Sequence, residues 1–368
     1  MTVALDLNDL LLECVERDAS DLHIKANSPP LMRIYGDLYR TEHPVLTPEE
    51  SKRLVYSILT PEQIRQFEHD QELDIGYEIA GVCRFRVNVC FQRGTVSGFY
   101  RTIPYQIRTM EELNLPPVCW YFAERPRGLI VVTGPAGSGK STSQAAMLNY
   151  INNNFAVHVV TVEDPVEFVH ESRVAIIDQR QVGRDTHAFA NALKWVLRQD
   201  PDVILVGEMR DLETVRNAIT AAETGHLVIT TLHTQDSVQT IDRIIDIFPP
   251  HQQPQVRQQV SANLVGVLSQ TLCKRKDGRG RIAAFETLVG TPSVRNLIRE
   301  AKTYQIGSII QTGVKQGMMT LDQCLARYVV QGVVAYEEAL SKATHPGEFD
   351  AMVREADTAT STTAGVGG

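Results

Sequence analysis

The chain has 368 residues, enough for two domains, and 43% of them are hydrophobic, which suffices for packed cores. Its 36 basic and 44 acidic residues give a net charge of −8, so the basic footprint of a dedicated nucleic-acid-binding protein is missing. There is no N-terminal signal pattern and no apolar run of about eighteen residues. The six cysteines form no C-x-x-C pair, as expected of thiols in a reducing compartment. These features predict a soluble cytoplasmic protein.

The first part of the chain, residues 1–103, reads as a mixed α+β domain. Apolar residues at helical spacing predict a first helix between Leu5 and Val15. Threonine followed by proline and glutamate, at Thr47 and again at Thr60, predicts the starts of two short helices. From residue 72 the apolar residues alternate with polar ones, as in a half-exposed sheet.

Two arginines stand out in that sheet region. Arg86 lies on the polar side of an alternating strand at residues 83–91, and Arg101 ends the next strand. The alternation alone favours two solvent-facing side chains. Several prolines and no periodicity between residues 104 and 117 then predict a linker.

Strands and helices alternate between residues 118 and 345, which predicts a parallel sheet covered by helices on both faces. The predicted strands span residues 128–133, 157–163, 203–207 and 226–232. One predicted helix begins directly after the loop that ends at residue 141. The other predicted helices span residues 186–199, 211–223, 237–248 and 255–270. Residues 346–368 become low in sequence complexity and are expected to form a disordered tail.

One stretch matches the phosphate-loop pattern G-x-x-x-x-G-K-[ST] at every fixed position: Gly134-Pro135-Ala136-Gly137-Ser138-Gly139-Lys140-Ser141. It follows a buried apolar strand and precedes a helix that opens at Thr142, which is the context the motif requires. Its glycines allow backbone N–H groups to point at phosphate oxygens at the positive end of a helix. Lys140 then reaches the β- and γ-phosphates, and the Ser141 hydroxyl can ligate Mg²⁺. The motif predicts a nucleoside triphosphate site.

Acidic residues end two of the predicted strands. Glu208 ends the strand that begins at Val203, and Gly207 takes the place where an aspartate is usual. Glu208 is therefore the candidate base that orients or deprotonates the attacking water. Glu163 and Asp164 end another strand, at the edge where open α/β sheets bind ligands. One of them can hold Mg²⁺ through water, and the alternative is a strand-end turn with solvated acids.

Histidines flank the last predicted strand of the core, with His226 at its start and His233 just after its end. His233 lies at the ligand-facing end of the sheet, near the segments described above, although a local hydrogen bond would also explain it. A metal site is not expected here, because no cysteine or third ligand stands at a suitable spacing.

A short helix is predicted at residues 293–300. Its apolar residues form one narrow stripe, and Arg295 and Arg299 form a basic pair on an adjacent face. Packing against a core explains the stripe.

Taken together, these segments resemble the four sequence boxes of the secretion-type hexameric ATPases, in both order and spacing. The boxes are the phosphate loop, the acidic stretch at residues 162–168, the run at residues 200–211 and the histidine segment at residues 226–233. Residues 293–300 resemble a signature of the type IV pilus retraction branch, and residues 19–23 resemble the start of that family's PAS-like N-terminal domain. The resemblance extends from residue 1 to about residue 345. One departure is Ala136, which stands where the family usually has threonine.

This resemblance implies a RecA-like P-loop NTPase core of α/β class, preceded by a PAS-like α+β domain. It implies ATP and Mg²⁺ as cofactors, a homohexamer, and catalytic roles for Glu208, Glu163 and His233. By analogy, Arg86 and Arg101 reach the triphosphate and complete the site, as the planar fork of arginine suits phosphate oxygens. It further implies pilus retraction at the inner face of the cytoplasmic membrane, through an inner-membrane platform protein and without nucleic acid. Residues 293–300 would then serve coupling rather than hydrolysis.

Three other functions remain open from the sequence. A pilus assembly or type II secretion ATPase usually carries a C-x-x-C zinc module, whereas the corresponding region here has one cysteine, Cys273. A RecA-like nucleic-acid translocase is supported only by a basic cluster at residues 274–281, which a solvated loop explains equally well. An ATP-binding regulatory partner without turnover is disfavoured by the intact Lys140 and Glu208.

Overall fold

The computed structural model describes residues 5–364. The chain divides into two compact units between Gln106 and Ile107, inside the predicted linker. The linker is shorter than predicted, because Met110 and Leu115 are already buried in the core of the second unit.

The first unit packs helices on an antiparallel sheet, the α+β architecture predicted for it. Its helices are α1 (Leu7–Glu16), α2 (Pro48–Tyr56) and α3 (Pro61–Asp70). Its strands are β1 (Ala19–Ile24), β2 (Leu31–Ile34), β3 (Asp37–Arg40), β4 (Glu72–Ile79), β5 (Cys83–Gln92) and β6 (Thr95–Pro104). They are ordered β3-β2-β1-β6-β5-β4.

The predicted helix starts are confirmed: Thr47 and Thr60 each form a capping box, with Glu50 and Gln63 respectively.

The second unit contains a seven-stranded sheet within the described residues, ordered β13-β12-β7-β11-β10-β8-β9. Neighbouring strands are parallel except for β12 and β13, so the predicted α/β core is confirmed. The strands are β7 (Gly128–Thr133), β8 (His158–Glu163), β9 (Ile176–Gln181), β10 (Val203–Val206), β11 (Leu227–Leu232), β12 (Leu264–Lys274) and β13 (Arg281–Val289).

The helices of this unit are α4 (Val118–Ala123), α5 (Lys140–Asn154), α6 (Phe189–Val196), α7 (Leu212–Glu223), α8 (Ser237–Asp246), α9 (Gln253–Asn263), α10 (Pro292–Arg299), α11 (Ile306–Thr312), α12 (Leu321–Val330), α13 (Tyr336–Leu340) and α14 (Pro346–Ala364). None of the helices within residues 5–364 has the length and apolar character needed to cross a membrane.

The helix predicted at residues 255–270 is wrong in its second half. α9 ends at Asn263, and β12 begins at once and lies between β7 and β13. Apolar residues at helical spacing continue into this stretch, but burial between two neighbouring strands decides its conformation. Glycine at residue 266 lets β12 pack closely against α4, because a Cβ there would lie only 2.2 Å from the Phe122 ring and would clash with it.

The chain after residue 346 also differs from the disordered tail that its composition predicts. α14 covers most of it, and Phe349 and Val353 are buried in a small core with Cys324 and Leu325 of α12. These apolar side chains anchor the helix although the surrounding sequence is of low complexity. Residues 365–368 lie outside the described residues.

Candidate active site

The phosphate loop joins the C-terminal end of β7 to the N-terminus of α5. β7 is an inner strand between β12 and β11, whereas the next strand along the chain, β8, lies three places away. A change of direction of this kind opens a crevice at the carboxyl ends of the strands, where open α/β sheets bind ligands. The fold therefore places the loop at the expected ligand edge.

Glycine is required at two positions of the loop. Gly134 has φ of +141°, and a Cβ there would lie 2.2 Å from the backbone oxygen of Gln270. Gly139 has φ of +88° and caps α5. Both conformations are strained for any residue with a side chain. The motif glycines therefore serve the backbone path that directs N–H groups inward.

The Lys140 ammonium is folded against the loop. Its Nζ donates to the Gly134 carbonyl at 2.8 Å and the Pro135 carbonyl at 3.0 Å, and lies 3.3 Å from His233 Nδ1. Burial lowers the pKa of Lys140, while the nearby Glu208 carboxylate opposes that shift. Phosphate oxygens offer this ammonium charge-assisted bonds that are stronger than bonds to neutral carbonyls.

His233 lies between Lys140 and Glu208. Its Nε2 is 3.1 Å from Glu208 Oε1. Because the ammonium of Lys140 can only donate, His233 Nδ1 acts as the acceptor, and the ring proton then sits on Nε2 and points at the carboxylate. The structure thus shows direct contacts among Lys140, His233 and Glu208, whereas the sequence predicts only that they lie at the same edge of the sheet.

Glu208 is partly buried and follows β10 by two residues. Burial would raise the pKa of its carboxyl, but the hydrogen bond and positive charge of Arg210, together with the hydrogen bond from His233, hold it below the usual value. Arg210 reaches Glu208 Oε2 at 2.8 Å. An ionised carboxylate at this place can accept a proton from water.

Glu163 lies at the end of the neighbouring strand β8. Its Oε1 accepts from the Thr161 hydroxyl at 2.6 Å and from Gln179 Nε2 at 3.1 Å. Burial raises the pKa of Glu163 even though these two hydrogen bonds favour the ionised form. Gly207 packs closely against the end of β8, because a Cβ at residue 207 would lie 3.3 Å from Glu163 Cα.

Ser141 and Thr142 occupy the first turn of α5 and are half-buried. Ser138 Oγ is buried and has no hydrogen-bond partner among the described residues. A hydroxyl at the helix N-terminus, an ammonium beside it and two nearby carboxylates form a donor set that fits a nucleoside triphosphate with Mg²⁺.

Arg86 and Arg101 belong to the first unit and lie directly opposite each other on β5 and β6. Asp21 of β1 lies opposite Arg101 on its other side, and its Oδ1 accepts from Arg101 Nε at 2.9 Å. This contact uses Nε, whereas the terminal nitrogens carry the paired donors that suit phosphate. The action of these arginines on a nucleotide stays a prediction.

Arg295 of α10 hydrogen-bonds to the backbone beside two strands of the sheet. Its Nε donates to the Gly290 carbonyl at 2.8 Å, and one of its terminal nitrogens lies 3.3 Å from the Leu264 carbonyl. Arg295 therefore ties α10 to the start of β12 and to the residue after β13, and its role in coupling stays a prediction. Arg299 is exposed, and its hydrogen bond goes to Asn296 of the same helix.

Two polar residues of the site are missing from the sequence interpretation. Gln270 of β12 donates from Nε2 to the Ser138 carbonyl at 2.7 Å, and Gln179 of β9 holds Glu163. The pattern around Gln270 favoured a helix, and no strand was predicted at β9. A prediction of both strands would have brought these side chains to the ligand edge.

Comparison with known proteins gives the family. The model of the type II/IV secretion system protein family matches residues 110–341. The chain is 50% identical to the type IV pilus retraction ATPase PilT of Pseudomonas aeruginosa over 345 residues, covering 94% of this chain and 100% of that protein. It is 48% identical to a twitching motility protein of Neisseria gonorrhoeae, covering 85% and 84%.

A crystal structure of the pilus retraction motor PilT with bound ADP matches 94% of this chain and 98% of its own, with a TM-score of 0.83 and 44% identity. The chain therefore belongs to the type II/IV secretion system protein family, in the branch that contains the type IV pilus retraction ATPases.

Proposed function

We propose that this protein is an ATP-hydrolysing motor that works as a homohexamer and powers type IV pilus retraction, and hence twitching motility. It acts in the cytoplasm at the inner face of the cytoplasmic membrane, through an inner-membrane platform protein. Its first unit is PAS-like. The observation that carries the proposal is the contact of His233 with both Lys140 and Glu208, in a chain that matches a retraction ATPase along nearly its whole length.

In this function, different residues of the chain bind the phosphates, accept the proton and orient the base. The loop N–H groups and Lys140 bind the phosphates, and Glu208 accepts a proton from the attacking water. His233 orients that carboxylate through Nε2. Ser141, and Glu163 through water, would hold Mg²⁺, which would neutralise charge at the phosphates. Arg86 and Arg101 add positive charge as the bond between the γ-phosphorus and the leaving oxygen of ADP breaks.

Pilus assembly or type II secretion is the second candidate. The single cysteine of the region where such proteins usually carry a zinc module, Cys273, is buried in β12, which favours retraction. A nucleic-acid translocase is less favoured, because the basic residues at 274–281 form the turn of a β-hairpin and Arg275 is paired with Asp277 there.

The test combines three measurements. Purified protein should release phosphate from ATP at a rate that DNA does not change, and its native mass should be six times that of the 41.0 kDa chain. In a strain lacking this gene, pili should extend without retracting, and the wild-type gene should restore retraction. Loss of pili in that strain would instead indicate assembly, and stimulation by DNA would indicate translocation.

A further inference from the structure

Gln270 contacts the phosphate loop from a strand that carries no recognised nucleotide motif. It is 3% exposed, and its Nε2 donates to the Ser138 carbonyl at 2.7 Å. A Cβ on Gly134 would lie 2.2 Å from the Gln270 backbone oxygen, and a Cβ on Gly139 would lie 3.2 Å from Nε2. Gln270 therefore packs against both the beginning and the end of the loop.

The contact with Ser138 determines how one peptide plane is turned. In a trans peptide the C=O and the following N–H point in opposite directions. Because Gln270 holds the Ser138 carbonyl toward β12, the Gly139 N–H points away from β12. In a phosphate loop the inward-facing N–H groups are those that bind phosphate oxygens.

Gln270 is poorly suited to a purely structural role. Its Oε1 is buried without a hydrogen-bond partner among the described residues, as is Ser138 Oγ beside it in the loop. A buried polar atom without a partner is unfavourable, and an apolar side chain of the same size would avoid it. What an apolar side chain cannot supply is the N–H donor to the loop.

We infer that Gln270 is a positioning residue for nucleotide binding: it orients the Ser138–Gly139 peptide so that the Gly139 N–H meets the β-phosphate. The inference rests on the proposed nucleotide-binding function and deepens it. It also makes β12, through its pairing with β7 and β13, a part of the nucleotide site.

The test replaces Gln270 by methionine, which keeps the length of the side chain and removes the donor. Dissociation constants for ADP and AMP are measured by calorimetry on the full chain. The expected result is roughly three- to tenfold weaker ADP binding, the loss of about one hydrogen bond. AMP binding should stay unchanged, because AMP lacks the β-phosphate. Gln253→Met is the matched control, since Gln253 Nε2 also donates to a backbone carbonyl, that of Phe248, at 3.1 Å.

Each outcome is informative. Wild-type affinity for ADP in the Gln270→Met protein, or an equal loss for ADP and AMP, would overturn the inference. If that variant does not fold, Gln270→Leu replaces it, because a leucine side chain is apolar and cannot donate to Ser138. It should show the same selective loss for ADP, and wild-type affinity there would also overturn the inference. Absence of ADP binding by the wild-type protein would instead contradict the proposed function itself.

Discussion

His233 Nε2 lies 3.1 Å from Glu208 Oε1, and the other nitrogen of the same ring lies 3.3 Å from Lys140 Nζ. One imidazole thus contacts both the lysine of the phosphate loop and the candidate general base. His233 follows β11, Lys140 begins α5 after β7 and the phosphate loop, and Glu208 follows β10. The segments that follow three neighbouring strands therefore come together at this point. In the proposed mechanism, phosphate binding by Lys140 and proton transfer to Glu208 are therefore linked through the His233 side chain.

Glu208→Gln should bind ATP and hydrolyse it roughly a hundredfold or more slowly, the usual effect of losing a general base. The amide keeps the shape of the side chain, whereas the proton acceptor is gone. Phosphate release and ATP affinity, measured on the same preparation, separate the two effects. Glu213→Gln, which changes an exposed acid in the first turn of α7, is the control and should keep full turnover. An equal loss of ATP affinity in Glu208→Gln would mean that Glu208 mainly supports the metal or the fold.

Lys140→Ala should lose nucleotide binding and turnover while the protein remains folded. The ammonium is a positive charge for the β- and γ-phosphates, and its removal leaves the buried strands β7 and β11 unchanged. Calorimetry with ADP tests the loss of nucleotide binding, and circular dichroism tests whether the protein remains folded. Lys194→Ala removes an exposed lysine of α6 and should behave as wild type. ATP turnover at the wild-type rate in Lys140→Ala would rule out the phosphate-loop assignment.

Arg86→Ala and Arg101→Ala should each lower turnover more than ATP affinity. If these arginines act on the developing charge, they stabilise the transition state more than bound ATP. The comparison of kcat with the dissociation constant for ATP gives the answer. Arg65→Ala, on the exposed side of α3, is the control for loss of a positive charge in the same unit. Full activity in both variants would return Arg86 and Arg101 to the solvent-facing role that the alternation alone suggests.

His170 makes stability depend on pH. It is 9% exposed and its Nδ1 has no hydrogen-bond partner in the described chain, and burial lowers its pKa from 6.5 to about 4. The folded state thus keeps the ring neutral, while the unfolded chain takes up a proton as pH falls below 6.5. Stability present above pH 6.5 is lost progressively down to about pH 4, with about 2 kcal/mol gone between pH 7 and pH 5.

Urea unfolding at these two pH values, followed by tryptophan fluorescence, tests this dependence, since both Trp120 and Trp195 lie in the second unit. His170→Gln should reduce the difference in the free energy of unfolding between pH 7 and pH 5 by about 2 kcal/mol. His69→Gln, which changes a strongly exposed imidazole, is the control. An unchanged difference in His170→Gln would assign the acid sensitivity to other groups.

Local motifs account for the part of the site that the sequence predicts. The loop from Gly134 to Lys140 is recognisable because its backbone path demands glycines at specified spacings. Glu208 is recognisable because it ends a short apolar run. Each of these signals lies within a few neighbouring residues, and the comparisons with relatives agree with the family they indicate.

The residues that the sequence misses depend on contacts between distant parts of the chain. Gln270 and Ser138 are 132 positions apart, and helical spacing before residue 264 extends by chance into β12. Periodicity places Arg295 on one face of a helix, but it cannot say which backbone carbonyls that face meets. Tertiary burial, which overrides local preference, decides all of these cases.

The last prediction separates Arg295 from Arg299 on α10. Arg299→Ala should leave a hexameric ATPase with normal turnover that fails to retract pili. Among residues 5–364, the exposed Arg299 forms a hydrogen bond only to Asn296 of its own helix, which leaves its charge available to a partner. Arg295→Ala should lower the free energy of unfolding by about 1–3 kcal/mol, since the carbonyls of Gly290 and Leu264 lose their donor. Thermal unfolding, native mass, phosphate release and twitching are measured for both variants. If Arg299→Ala retracts pili at the wild-type rate, α10 serves core packing alone, and if it loses the hexamer, the role of Arg299 is in assembly of the ring.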